Sequence, residues 1–252
     1  MLIDTHCHID QYKEPLLVAE NCEREKVFVL AVTNLPSMFE DAYHFLKDFK
    51  YVKPALGFHP LLARDYRHEL KKFEILLDRA DYIGEIGLDY SKAGKHFQKA
   101  QIDILKFIFG CLKAKNKFIS LHSREAEAPL LDLVEEFQIE SAVLHWYSGS
   151  LKNLDRALSI GCFLSVNPAM INSANGQRII SRIPENRILT ETDGPYVKVN
   201  RRIAMPQSVV LTHKYLSKLW NKAENDVNKQ LRANFGNICR KLKKEMTNVE
   251  YS

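Results

Sequence analysis

Five of the nine histidines stand at the ends of short apolar runs: His6, His8, His59, His122 and His145. Glu85 and Asp193 hold the same kind of position, in Gly84-Glu85-Ile86-Gly87-Leu88-Asp89 and Glu191-Thr192-Asp193. Imidazole and carboxylate together suit Zn, Mn, Fe or Co, and Mg less ideally. The His6-x-His8 spacing puts both rings on one side of an extended strand, where they can grip one cation. His122 and His145 can hold a second. Glu85 can bridge the two, and Asp193 can complete the first site and orient or deprotonate the attacking water. Two cations about 3.5–4 Å apart are a device for phosphoester hydrolysis. His44, His68, His96 and His213 fall inside helix-like segments, where a surface or core role suffices. An isolated H-x-H is weak, as is a Glu at a strand end. The combination is strong, because buried polar groups gathered without a purpose would each need a partner.

Such a cluster needs a scaffold that gathers it. Eight short apolar runs cross the chain: Leu2–Asp4, Val27–Val32, Val52–Leu56, Tyr82–Ile86, Phe118–Leu121, Ser141–Leu144, Cys162–Val166 and Ile188–Thr190. Several are rich in β-branched or aromatic residues, as buried parallel strands are. Helix-like segments lie between them. Lys95–Ala114 is the clearest, with Ile102, Leu105, Phe109 and Leu112 on one face, and residues 124–137 and 150–160 read alike. The alternation predicts a (β/α)8 barrel. Every candidate ligand falls at the carboxyl end of a strand, the face where barrel active sites form. An open doubly wound sheet would carry a Gly-rich phosphate loop after its first strand; here His6-Cys7-His8 follows. Helices at about 206–220 and 225–236 close the chain. The reading is one domain over residues 1–252, with the tail from about 241 expected to fray.

Composition fits that picture: 46% hydrophobic and 27% charged residues describe a globular chain with a full core. No apolar run approaches a membrane span, and the N-terminus lacks the features of a signal peptide, so the expected compartment is the cytoplasm. Five scattered cysteines without a C-x-x-C argue against disulfides and a structural zinc site. The net charge of +5 is uneven, since residues 198–252 carry 12 Lys and Arg against 4 Asp and Glu. Surface Lys explains part of this, yet a basic region also attracts nucleic acid.

The chain resembles the TatD-type metal-dependent deoxyribonucleases among the amidohydrolase-like barrels. The matching stretches are Asp4-Thr5-His6-Cys7-His8-Ile9-Asp10, Gly57-Phe58-His59-Pro60, Gly84-Glu85-Ile86-Gly87-Leu88-Asp89-Tyr90, His122-Ser123-Arg124, His145-Trp146-Tyr147-Ser148-Gly149 and Glu191-Thr192-Asp193-Gly194-Pro195-Tyr196. Asn234 and Phe235 fit a closing Asn-containing motif, so the resemblance runs from residue 1 to about 240. It implies 3′–5′ exonuclease action on DNA, often single-stranded, with a divalent metal: Mg, Mn or Zn, two per chain. It also implies that His6, His8 and Asp193 hold one cation, His122 and His145 the other, and Glu85 both, with His59 touching the scissile phosphate. The catalytic set on this reading is Asp193, Glu85 and His59.

The resemblance leaves the substrate open. Some relatives are linked to D-aminoacyl-tRNA deacylation, which makes a hydrolase of aminoacyl esters or amides the main alternative. Barrels that bridge their metals with a carboxylated Lys are disfavoured, because no Lys lies between Asp81 and Ser91. A non-catalytic scaffold is a third reading, opposed by the intact ligand set. The chain is also similar to the TatD-like component of bacterial Qat-type anti-phage systems, which implies protein partners. The family's usual Cys-Phe after the sixth-strand His is Trp146-Tyr147 here, and the acidic residue of its late loop is replaced by Met205 in Arg201-Arg202-Ile203-Ala204-Met205-Pro206. Single-stranded DNA is the expected partner, with RNA a further candidate. Arg124 can fork a phosphate; Lys198, Arg201 and Arg202 can track a backbone; Trp146 and Tyr147 can stack on bases.

Overall fold

The computed structural model describes residues 1–240 except 114 and 141. Eight strands pair in parallel in sequence order: β1 (Ile3–Cys7), β2 (Phe28–Val32), β3 (Val52–Phe58), β4 (Tyr82–Gly87), β5 (Phe118–His122), β6 (Ala142–His145), β7 (Phe163–Val166) and β8 (Ile188–Thr190). The helices are α1 (Pro15–Glu25), α2 (Pro36–Leu46), α3 (Leu70–Leu76), α4 (Gln98–Leu112), α5 (Glu127–Glu136), α6 (Leu151–Ser159), α7 (Pro168–Ile171), α8 (Ala174–Ile180), α9 (Val209–Trp220) and α10 (Glu224–Cys239). This is the expected (β/α)8 barrel.

Burial on both faces explains why the strands read as apolar runs: β2 is buried at every residue. Phe28, Tyr82, Phe118 and Phe163 meet inside the barrel together with Phe235 and Ile238 of α10. The Phe28 and Phe118 rings stand 5.3 and 5.8 Å from that of Phe235, so α10 plugs the end opposite the histidines. Asn234 pins the plug by donating from Nδ2 to the carbonyls of Glu185 and Ile188, each at 2.7 Å.

β1 and β8 lie side by side, joined through the backbone at their carboxyl ends, where Asp193 N donates to the His6 carbonyl at 2.9 Å and His8 N to that of Gly194 at 2.8 Å, and through side chains along their length. Thr5 Oγ1 donates to the Thr190 carbonyl at 3.1 Å, and Thr190 Oγ1 to that of Ile3 at 2.7 Å. The buried Asp4 carboxylate accepts from Thr192 through both its backbone N, at 3.0 Å, and its Oγ1.

The sheet's register slips between Asp4 and Cys7, between Leu56 and Phe58, and between Ile83 and Ile86. Such irregularities bend a strand and re-aim its side chains at a barrel rim, and here they fall beside His6, His59 and Glu85. They also demand glycine. A Cβ on Gly57 would sit 1.6 Å from the Thr33 carbonyl oxygen, and one on Gly87, at φ 145°, would sit 2.1 Å from that of His122.

Some boundaries differ from the sequence reading. β1 runs on through Cys7, because Thr5, His6 and Cys7 are buried although two of them are polar. The segment expected as Lys95–Ala114 opens as a 3-10 turn, Lys95–Phe97, before α4. Its buried stripe holds Leu105, Phe109 and Leu112 as expected, but Ile104 and Ile108 in place of the half-buried Ile102. The short helices α7 and α8 and an antiparallel hairpin, β9 (Lys198–Val199) with β10 (Arg202–Ile203), were not anticipated. Ala114, Ser141 and the tail expected to fray from about 241 lie outside the described residues.

Candidate metal centre

Six side chains from five strands meet at the carboxyl end of the barrel. β1 brings His6, with His8 just beyond it; Glu85 comes from β4, His122 ends β5, His145 ends β6, and Asp193 follows β8. Glu85 sits at the middle. Its Oε2 lies 3.3 Å from His8 Nε2 and 3.7 Å from His6 Nε2. Its Oε1 lies 2.7 Å from His145 Nε2 and contacts His122 Nδ1. Asp193 Oδ1 stands 3.7 Å from His6 Nε2 and 3.5 Å from His8 Nε2.

These spacings fit donors that share a cation. His6 Nε2 is buried without a hydrogen bond, and 3.7 Å is too long for one. Two donors each about 2.0–2.1 Å from a tetrahedral Zn lie roughly 3.3 Å apart. Ligand atoms gather in three groups: His6, His8 and Asp193; His6, Glu85 and His145; and His59, Glu85 and His122. Glu85 belongs to two of them. The sets His6/His8/Asp193 and His122/His145/Glu85 read from the sequence thus occupy one cluster, with His6 also facing the Glu85–His145 side.

His59 is the exception within these groups. Its Nδ1 accepts the backbone N–H of Leu61 at 3.2 Å. A backbone amide can only donate, so Nδ1 is the bare nitrogen, and Nε2 carries the hydrogen toward Glu85 Oε2, 3.6 Å away. That makes His59 a donor facing the site rather than a ligand.

The surroundings set the charges. Burial alone would raise Glu85, but His59, His145 and His122 hold its carboxyl well below the usual range. Burial pushes Asp193 up to about 7, against the pull of His145 and His8. Without a cation the two carboxyls therefore differ: Glu85 is held as an anion, and Asp193 changes charge near neutrality.

Two supporting hydrogen bonds escaped the sequence reading. Asp89 Oδ2 accepts from His122 Nε2 at 2.8 Å, and Ser120 Oγ pairs with His6 Nδ1 at 2.8 Å. Such partners fix the tautomer and orientation of a ligand. Glu191 Oε1 stands 3.8 Å from His145 Nδ1, near enough for its charge to act but too far for a hydrogen bond. Asp89 and Glu191 lie inside the motifs quoted above, yet nothing in their spacing separates a ligand from its support.

A cavity of about 700 Å³ opens over the cluster. His59, Arg124 and Trp146 line it, with Leu61, Leu62 and Tyr196. Arg124 makes no ion pair within 4 Å among the described residues. Tyr147 is placed otherwise than expected. It is 1% exposed, packs in the core and donates its hydroxyl to the Ser150 carbonyl at 2.6 Å. Lys198 and Arg202 lie exposed on the β9–β10 hairpin, with Arg201 in its turn, and none of the three lines the cavity.

Comparison with known proteins gives the family and agrees with the fold. Residues 3–240 match the family model described as TatD related DNase. The deoxyribonuclease TATDN3 of Homo sapiens is 29% identical over 238 residues, covering 86% of this chain and 87% of that one. The uncharacterized metal-dependent hydrolase YabD of Bacillus subtilis is 28% identical over 214 residues, covering 78% and 81%. Among solved structures, the TatD homolog YJJV of Escherichia coli superposes with a TM-score of 0.83 at 21% identity, covering 96% and 97%.

Proposed function

Because the chain belongs to the TatD related DNase family and is a metal-dependent hydrolase, we propose that it cleaves phosphodiester bonds of DNA, removing nucleotides from the 3′ end of single strands. The observation that carries this reading is the ligand cluster: four histidines, Glu85 and Asp193 converge under a cavity open to a polymer end. We assign His6, His8 and Asp193 to one divalent cation and His122 and His145 to a second, with Glu85 between them. When bound, such cations supply positive charge for the phosphoryl oxygens and lower the pKa of a water. Mg, Mn and Zn all suit the donor set to different degrees.

The chain's own groups do the rest. Asp193 faces the cavity, where its carboxylate, besides holding its cation, is placed to receive the proton of the attacking water. His59, bare at Nδ1, presents Nε2–H to a phosphoryl oxygen and donates a hydrogen bond without giving up a proton. Arg124 holds a neighbouring phosphate. Lys198, Arg201 and Arg202 stand outside the cavity, where the rest of a strand would run. The resemblance to an anti-phage component adds the proposal that partner proteins deliver or license the substrate.

Digestion of 3′-labelled and 5′-labelled single-stranded DNA with Mg, Mn, Zn or EDTA, beside Asp193→Asn and Glu85→Ala controls, tests the reading. Stepwise, metal-dependent loss from the 3′ end, absent in both controls, is the expected result. Full activity of Glu85→Ala would refute the two-cation assignment. No cleavage with any metal would move the reading to aminoacyl esters or to a partner-dependent enzyme.

A further inference from the structure

Trp146 follows the last residue of β6, and its backbone lies in the left-handed region at φ 38°. A bulky residue is rare there, because its Cβ crowds the next carbonyl. A strained residue persists only where its surroundings hold it, and Glu191 supplies that hold. Wholly buried, it accepts the Trp146 backbone N–H at Oε1, 2.9 Å away. The carboxylate is itself fixed, by Asn167 Nδ2 donating to Oε1 at 3.0 Å and by Ser165 Oγ donating to Oε2.

The turn decides which ring goes where. Tyr147 enters the core at 1% exposure, while Trp146 remains 36% exposed on the cavity wall. Leu61 and Leu62 line the same cavity, and so does Tyr196, 56% exposed. Exposed aromatic and aliphatic surface in a cavity that Arg124 also lines, above a cluster of candidate cation ligands, matches one substrate chemistry: a flat apolar ring joined to a phosphate. A sugar-phosphate backbone alone offers nothing for the indole to cover.

We propose that Trp146 is a base platform that makes the hydrolase require a nucleobase on the nucleotide seated in the cavity, and that Glu191 is the positioning residue that holds this platform. The inference rests on the nuclease reading above. Stacking tolerates every base, because each has a π face. The discrimination is therefore between a base and none, not among the four bases.

The test uses two 5′-labelled single strands that share every phosphodiester bond. One ends in two natural nucleotides and the other in two tetrahydrofuran abasic residues. Wild-type protein should show a KM lower by about tenfold or more for the natural strand, the scale of one stacked base. Trp146→Asn should abolish that preference and stay folded, since Asn tolerates the left-handed backbone; Trp146→Tyr should keep it. Glu191→Gln should raise KM for the natural strand more than for the abasic one. Were Glu191 to act only through His145, kcat would fall equally on both strands, which would overturn its positioning role. Equal KM for both strands in the wild type, or a preference surviving in Trp146→Asn, overturns the platform while leaving the nuclease reading intact. Absence of cleavage of either strand with Mg, Mn or Zn overturns both.

Discussion

Asp89→Asn should weaken one cation site and spare the other. Asp89 Oδ2 accepts from His122 Nε2 at 2.8 Å, and Oδ1 accepts from the Ser91 backbone N at 2.9 Å. With Nε2 protonated, Nδ1 is left bare toward Glu85 Oε1 and His145 Nε2, the side on which a cation would sit. An amide in place of the carboxylate must keep its oxygen for Ser91, so its NH2 faces His122. That favours the opposite tautomer, with the hydrogen on Nδ1, where it blocks ligation. Loss of a supporting carboxylate costs about 10–100-fold in metal affinity, or roughly 1.4–2.7 kcal/mol at 25 °C. A charge-assisted hydrogen bond is independently worth about 1.5–3 kcal/mol, so the two scales agree. Isothermal titration with Mn or Zn should resolve one site weakened by that factor and a second, at His6, His8 and Asp193, changed by less than about threefold. Two unchanged sites would refute the tautomer argument, and two equally weakened sites would refute the division of ligands between them.

Four further outcomes are expected. Burial pushes the Asp193 carboxyl from its ordinary 3.8 up to about 7 without a cation, so binding there must displace a proton, and affinity should fall about tenfold per pH unit below 7; titrations at pH 6 and 8 with equal affinities would refute this. The sign for stability is opposite: between 3.8 and about 7 the folded cation-free protein binds the extra proton, so its stability should fall as pH rises through that window. Arg202→Ala should lower the salt dependence of single-stranded DNA binding by about one phosphate contact, measured by anisotropy from 50 to 200 mM salt, and an unchanged slope would remove this residue from the backbone track. Tyr147→Phe removes a hydroxyl bonded to the Ser150 carbonyl; it should cost about 1 kcal/mol of stability and leave kcat/KM unchanged, whereas a large rise in KM would restore Tyr147 as a substrate contact.

The barrel was legible because its strands are covered on both sides, which turns them into apolar runs: Ile188–Thr190 was read to the residue. β1 was not, because its second half, Thr5-His6-Cys7, is buried although Thr5 and His6 are polar. Asn167-Pro168, which opens α7 with its side chain accepting from the N–H groups of Ala169 and Met170, both at 3.0 Å, carried a capping signal that was passed over. The hairpin gave no such signal, since its turn uses Asn200 and Arg201 at positive φ where Gly would be expected. The candidate ligands were legible as one cluster because cation chemistry admits few residue types. The choice between Trp146 and Tyr147 was not, because one backbone torsion, set by the distant Glu191, decides which ring meets the cavity.

The seam between β1 and β8 has a mechanical side. Consecutive strands are knit by backbone ladders, whereas this last junction combines bridges by Thr5, Thr190 and the Asp4 carboxylate with two backbone bonds at its rim, from Asp193 N to the His6 carbonyl at 2.9 Å and from His8 N to the Gly194 carbonyl at 2.8 Å. His6 and His8 lie on one lip of the junction and Asp193 on the other. An ion held by all three is a clasp on a hoop. At a concentration 100-fold above its Kd it would add about 2.7 kcal/mol to the closed form. Chelation should then speed amide exchange at residues 3–8 and 190–194 ahead of the opposite wall. A barrel unclasped there presents two bare strand edges, each able to pair with another copy, so loss of the ion is a route to aggregation as well as to an inactive enzyme.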